Sequence, residues 1–265
     1  MSELSGENSL APAVSRAVRI LTLLAEARGV PQPLTEVARA LGAAKSSTSN
    51  LCAVLEESRL IQRRDTGYVL GRRTVELGGA YLATFDEVRE FYRICSESPV
   101  LSRELVQIAV LDGTDVLYLA RHEGHAPLRL SAGIGDRFPA SLTAVGNALL
   151  ATLDPDDVAA RYSNLDPLPR LTERSTRTLA ALQGKLEATR QRGYSVDEGE
   201  VFPNVIGLAM TIPARRADAQ TLAMGVSMFD LDPATAASDG RREAVLAELR
   251  NAVHQMSNPM SVLTY

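Results

Sequence analysis

Cysteine is almost missing from this 265-residue chain: Cys52 and Cys95 are its only two. Two thiols without a surrounding Cys/His cluster exclude a disulfide framework and a cysteine-ligated metal module, and they suit a reducing compartment. Long apolar runs are missing as well. None approaches the roughly 18 residues of a membrane span, and the first residues carry no basic-then-apolar signal pattern. The expectation is a cytoplasmic chain with no membrane partner. The chain also has no Gly-X-Ser-X-Gly elbow, no Walker loop and no His-Glu-X-X-His helix, the local patterns that common hydrolases, nucleotide enzymes and metalloproteases need. His122, Glu123 and His125 lie close together, as do Asp197, Glu198 and Glu200, but nothing in their spacing makes the two groups converge on a metal. No enzyme activity, metal or cofactor is expected.

What is present is an uneven distribution of charge. The net charge is −4. Between Pro12 and Arg73 there are ten Lys/Arg against five Asp/Glu, and the remainder carries 18 against 27. A basic module on an acidic body fits localised contact with a phosphate backbone.

The basic module has a recognisable order. Residues 1–11 are polar and aperiodic, as in a mobile tail. Ala17, Ile20, Leu21 and Leu24 then recur at helical spacing behind Ser15 as a candidate cap, and Arg28-Gly29 and Pro31 stop the helix. Thr35 is the candidate cap of a second helix with Val37, Ala38 and Leu41 inward, and Gly42 permits a tight turn. A third helix buries Thr48, Leu51, Cys52 and Leu55. This leaves Lys45, Ser46, Ser47, Ser49, Asn50 and Ala53 on its outer face. Small and polar groups at a helix N-terminus suit contact with phosphates and base edges: Lys45 as a cation, the Ser hydroxyls as donors, Asn50 as a reader of adenine. Residues 60–64 and 68–70 read as a hairpin around Thr66-Gly67, which puts Arg63, Arg64 and Arg72 where a wing crosses the backbone. The DNA-facing set is Ser15, Arg16, Lys45, Ser46, Ser47, Ser49, Asn50, Arg63, Arg64 and Tyr68, and the partner is a double-stranded DNA operator.

Residues 74–98 carry an amphipathic helical pattern weakened at Gly78-Gly79, read as two helices. From Leu105 the period changes to that of strands. Leu105–Leu111 and Val116–Ala120 form a hairpin around Asp112-Gly113-Thr114, and Leu128–Leu130 starts a third strand. Gly133–Pro139 reads as a tight loop. Helices follow over 142–153, from Asp154 to about Tyr162, and over 178–192, the last with Thr176 as a candidate cap. Strands at 194–196, 205–212 and 222–228 and a helix at 239–256 close the chain. Strands, then helices, then strands indicate an α+β body with an antiparallel sheet.

The segments Val14–Leu21, Leu34–Gly42, Lys45-Ser46-Ser47, Leu51–Leu55 and Tyr68–Gly71 resemble the N-terminal domain of the IclR family of bacterial transcription factors. Gly135–Pro139 with Thr143–Ala151, and Arg192–Glu200, resemble two blocks of its C-terminal domain. The resemblance covers nearly the whole chain from Val14. It implies a winged helix-turn-helix (residues 12–73), linker helices (74–98) and a GAF-like effector-binding domain (99–258), acting as a homodimer or a dimer of dimers. It implies a small-molecule effector, aromatic or carboxylate-bearing, held at Gly133, Ile134, Gly135, Ala144, Asp197, Val205, Gly207, Ala209, Gly225 and Ser227, with the loop amides as an anion site. Met210, Met224, Met228 and Phe229 are further lining candidates, although adaptable core packing is the favoured role for each methionine.

The chain departs from the family pattern at four positions. Ser49 and Asn50 stand where a bulky His or Tyr and then Arg are usual. Gly207 replaces a usual Cys, and Gly225 often a small hydroxyl residue. Two glycines predict a roomier, less polar pocket floor and so a larger effector. They also keep open a second reading, an architectural DNA-binding protein whose sensor domain takes no ligand.

Overall fold

The computed structural model describes residues 10–124, 132–214, 219–229 and 236–257. The polar tail before Leu10, His125 and the strand expected at Leu128–Leu130 lie outside the described residues. The chain divides between Thr84 and Phe85 into two units, each with its own core.

The first unit contains α1 (Pro12–Glu26), α2 (Leu34–Leu41), α3 (Lys45–Glu57), β1 (Ile61–Arg64), β2 (Gly67–Leu70) and α4 (Arg73–Leu82). Its core is Ile20 and Leu24 from α1, Val37 and Leu41 from α2, Cys52 and Leu55 from α3, and Ile61 and Tyr68 from the hairpin. The 3.6-residue period of the apolar helix positions puts them on inward faces. Gly42 ends α2 in the left-handed region at φ 62°, which a residue with a Cβ adopts only at a cost. Gly67 is needed for a different reason: a Cβ there would lie 2.3 Å from the carbonyl carbon of Gln32. That approach lets Gln32 and Tyr68 exchange two backbone hydrogen bonds, each 2.9 Å.

Two expected caps are not caps. Ser15 lies inside α1, which begins at Pro12 after Ala11. Thr35 lies inside α2, which begins at Leu34 after the extended Pro33. In both cases proline sets the backbone at the helix entrance, and no side chain caps it. α4 is unusual in burying none of its residues.

The second unit begins with α5 (Asp86–Glu97) and a 3-10 turn at Leu101–Arg103. It continues through β3 (Leu105–Asp112), β4 (Asp115–Glu123), β5 (Arg137–Pro139), α6 (Ala144–Leu150), α7 (Pro155–Tyr162), α8 (Leu179–Arg192), β6 (Ser195–Glu198), β7 (Val205–Ile212), β8 (Leu222–Phe229) and α9 (Ala236–Ser257). The strands make one sheet in the order β5-β4-β3-β8-β7-β6, every pair antiparallel. β5 corrects the reading of 133–139 as loop throughout, because Arg137–Pro139 pairs with Asp115–Leu117 as an edge strand. The long helix α8 is capped by Thr178, whose hydroxyl accepts from the Ala181 amide, not by Thr176.

Side chains alternate across a strand, and the register sorts them into two unlike faces. Val106, Ile108, Ile206, Leu208, Met224, Val226 and Met228 share one buried face. The helices α5 and α9 cover that side, so Met224 and Met228 are core residues. The other face is built of small residues. Ala109, Ala209 and Ala223 pack there against Ala144, Val145, Ala148 and Leu149 of α6, with Leu182 and Leu186 of α8 behind. Glu104 anchors the start of α9 through a two-pronged ion pair with Arg241, at 3.0 and 2.8 Å.

Candidate DNA-binding surface and effector cavity

On the first unit, α3 presents an open N-terminus. Its first in-helix amide bond runs from Thr48 to Ala44, and no side chain caps the end. The amides of Lys45, Ser46 and Ser47 therefore precede the helical ladder, at the positive end of the helix dipole. Lys45, Ser46, Ser47 and Asn50 are exposed around it, and Ser49 is half-buried. Arg63 and Arg64 are exposed at the end of β1. Ser15 and Arg16 are half-buried in the first turns of α1.

Tyr68 differs from the rest of the expected DNA-facing set and is a correction. It is only 6% exposed and belongs to the core between α1, α3 and the hairpin. Its ring supports Arg63, whose guanidinium carbon lies 5.9 Å from the ring centroid. Pairing with Gln32 turns the ring inward, a long-range contact that local sequence does not announce.

On the second unit, a cavity opens between the small-residue face of the sheet and α6. It contains about 490 Å³ of atom-free space, part of it open to solvent. Its wall brings together six of the expected effector residues: Ala144, Asp197, Val205, Gly207, Gly225 and Ser227. Register explains the grouping, since Asp197 pairs with Gly207, and Gly207 with Ser227, in one row across three strands.

Four expected residues are not in that wall. Ala209 is fully buried under α6. Gly133, Ile134 and Gly135 lie outside the lining, and Ile134 is 52% exposed. The loop amides are also engaged within the chain. The Gly133 amide donates to Asp136 Oδ2 at 2.6 Å, and the Gly135 amide donates to the Tyr118 carbonyl at 2.8 Å. These two amides are thus spent within the chain, one inside the turn and one on β4.

Sequence reasoning missed the aromatic residues of the cavity, Tyr118, Phe138 and Phe202, and the polar Gln107 and Thr143 that line it with them. The ring centroids of Tyr118 and Phe138 are 6.1 Å apart, edge to face, and those of Phe138 and Phe202 are 5.9 Å apart. Tyr118 lies at sequence spacing two from Val116 on one strand face, the only local signal for it. The expected roominess at the two glycines is also corrected. A Cβ on Gly207 would stand 3.1 Å from Ala144 Cβ, and one on Gly225 would stand 2.6 Å from Val145 Cγ1. These glycines let α6 settle onto the sheet and do not enlarge the floor.

Asp197 is the charged group of the lining, and it is 6% exposed. One of its oxygens accepts from the Glu200 amide at 2.7 Å. Burial, with the Glu200 charge adding to it, pushes its carboxyl up to about 7 against the opposing pull of backbone donors and Lys185. Burial also raises the Tyr118 phenol, and the Asp197 charge raises it further. Behind Asp197, Lys185 pairs with Glu200 and donates to the Ser141 carbonyl at 3.1 Å. The other Glu200 oxygen accepts from the Thr176 amide at 2.8 Å.

A profile described as the IclR helix-turn-helix domain matches residues 13–65, and one described as the bacterial transcriptional regulator IclR C-terminal domain matches residues 81–258. The chain belongs to the IclR family. It is therefore a DNA-binding transcriptional regulator of that family, not an enzyme. Its IclR-family architecture recurs across relatives that share about a quarter of its residues. The HTH-type transcriptional repressor AllR of Salmonella typhimurium is 27% identical over 220 residues, which cover 82% of this chain and 79% of that protein. The repressor BlcR of Agobacterium tumefaciens is 28% identical, with 95% of this chain and 98% of that one covered at a TM-score of 0.59. An IclR homolog from Microbacterium hydrocarbonoxydans, solved in complex with 4-hydroxybenzoate, is 23% identical, with 92% and 97% covered at a TM-score of 0.76. The paired units of this chain are those of the family: a winged helix-turn-helix, and an α+β domain built on an antiparallel sheet. Among the described residues, no helix is long and apolar enough to cross a membrane.

Proposed function

We propose that this regulator binds its operator as a homodimer or a dimer of dimers, and that a small aromatic effector in the sheet–α6 cavity controls operator affinity. The observation that carries the effector reading is the cavity itself, walled by three aromatic rings and a buried carboxyl. Aromatic walls with a few convergent polar groups are the usual make-up of a small-molecule site. The relative solved with 4-hydroxybenzoate is in keeping with an aromatic ring. A carboxylate, the other class implied by resemblance, would meet no Lys, Arg or His among the described lining residues.

DNA contact is assigned to α3 and the wing. Lys45, the Ser46 and Ser47 hydroxyls and the open amides anchor phosphate, Asn50 reads bases, and Arg63 and Arg64 straddle the backbone beside the groove. Ser15, Arg16 and Ser49 are secondary phosphate contacts. Self-association is assigned to α4. This helix buries nothing within its own unit, and Val75 is 75%, Leu77 52% and Tyr81 44% exposed. A second copy covering α4 would space two winged helices on successive major grooves. Effector binding then favours one spacing over another.

Operator fragments selected from random DNA, followed by mobility shift with a panel of aromatic metabolites, test the reading. The expected result is a ligand-dependent shift in the wild type that disappears in Ser227→Leu, which places a bulky side chain in the cavity wall. An architectural protein without a ligand predicts no shift with any compound.

A further inference from the structure

We propose that Val54 is a specificity-determining residue of the operator contact, packing its methyl groups on the 5-methyl group of a thymine in the major groove. This rests on the reading of α3 as the helix that enters the groove, and it adds an apolar element to what that helix reads.

Exposure is the first observation. Val54 is 61% exposed, and among the described residues it is the one large apolar side chain that α3 leaves in the open. Thr48, Cys52 and Leu55 take the buried side of the helix, and the core of the first unit does not use Val54. A single exposed valine is ordinary on a protein surface. Its place on this helix is what gives it a task.

The second observation is its neighbours on the helix surface. Residues three and four apart lie side by side on a helix. Val54 therefore follows Asn50 by one turn and Ser47 by two, with Ala53 beside it, and all four are exposed. Ala53 is small and leaves the helix free to come close to base edges. Asn50 and Ser47 offer hydrogen bonds to bases and phosphates. The thymine methyl is the apolar marker of the major groove, and an apolar side chain is what matches it. Four residues of helix rise about 6 Å, close to two base-pair steps. The thymine thus lies within about two base pairs of the base that Asn50 reads.

The third observation is where the helix stops suiting DNA. Lys45 stands at its N-terminal end, and Glu56 and Glu57 stand at its C-terminal end. The Glu56 carboxylate accepts from the Arg63 amide at 3.2 Å and so belongs to the junction with the wing. Glu57 is exposed, and a carboxylate there repels phosphate. Val54 is the last exposed uncharged residue before this acidic end, so the DNA-facing stretch runs from Lys45 to Val54.

The test uses the full-length protein and its selected operator, with each thymine in turn replaced by deoxyuridine. That change removes the 5-methyl group and keeps the pairing edge. In competition mobility shifts, one thymine in each half-site should show a loss of about fourfold, the order expected when one buried methyl is deleted. Val54→Ala should weaken the unmodified operator by a similar factor and show no further loss at that thymine, as coupled partners do in a double-mutant cycle. A wild type with no uridine penalty at any thymine would overturn the inference, as would a penalty that persists in Val54→Ala. A changed oligomeric state in Val54→Ala, with every uridine penalty intact, would make Val54 a contact between copies and overturn it too. Lys45→Ala in the same assay separates this from a failure of α3 as the DNA-facing helix. If that variant keeps full affinity, the assignment of α3 falls and the thymine contact with it. If it weakens all sites while uridine has no effect, only the thymine contact falls.

Discussion

Val145 occupies the space that Gly225 leaves open: a Cβ at position 225 would stand 2.6 Å from Val145 Cγ1. The contact joins β8 to α6 across the roof of the cavity. Gly225→Ala should therefore overpack this contact and destabilise the second unit by about 1–3 kcal/mol. Val145→Ala in the same chain should recover most of the loss. Urea unfolding of the two single variants and the double variant checks it, and additive losses would show that the two side chains do not meet.

The raised Asp197 carboxyl carries a pH dependence of stability. The folded state holds this proton up to about pH 7, whereas an unfolded Asp releases it near its ordinary value of about 3.9. Between these values the native state binds more protons than the unfolded one, so this group's stabilising contribution is lost as pH rises towards 7. The full swing is on the order of 4 kcal/mol, since each tenfold difference in proton affinity between the two states is worth about 1.4 kcal/mol. Melting temperature of the ligand-free protein from pH 5 to pH 8 should fall more steeply for the wild type than for Asp197→Asn.

At the DNA surface, Lys45→Ala should weaken every site alike and reduce the slope of log K against log salt by about one. Asn50→Ala should instead change which bases are preferred. Competition binding on a set of single-base operator variants, repeated at two salt concentrations, separates the two effects. An unchanged base preference in Asn50→Ala would remove that residue from the reading set.

Tyr68 gives a sharper distinction between packing and contact. Tyr68→Phe should leave operator affinity within about twofold, because its ring is core and the wing arginines remain. Tyr68→Ala should cost the first unit about 3–5 kcal/mol, as other large-to-small aromatic changes in cores do. A tenfold loss of DNA affinity in the folded Tyr68→Phe protein would restore its hydroxyl as a contact.

The sequence carried the parts of this fold that depend on local periodicity. The Thr48, Leu51, Cys52 and Leu55 spacing marks the inner face of α3, and the fully buried Thr48 and Cys52 occupy it. The order of helix, Gly42, helix and hairpin likewise follows from turn chemistry and apolar spacing. What local pattern did not carry is set by distant partners. Tyr68 is turned inward by Gln32, 36 positions earlier in the chain. The Gly133–Gly135 turn is closed by Tyr118 and Asp136. Thr35 and Ser15 have cap chemistry, but the extended Pro33 and the N-terminal Pro12 set where their helices begin. In the cavity, Asp197 and Gly207 were identified by resemblance. Phe138 and Phe202 enter through the pairing of β5 with β4 and the approach of the 199–204 segment to the sheet.

The two unlike faces of the sheet separate what this protein can change from what it must keep. Val205 and Ser227 line the cavity and Gly207 and Gly225 seat α6 beside it, while their immediate neighbours at 206, 208, 226 and 228 lie on the side covered by α9. The lining at 205 and 227 can therefore change without disturbing the layer that holds the closing helix. The wall of the cavity and the layer that carries the closing helix are thus written on opposite sides of the same strands.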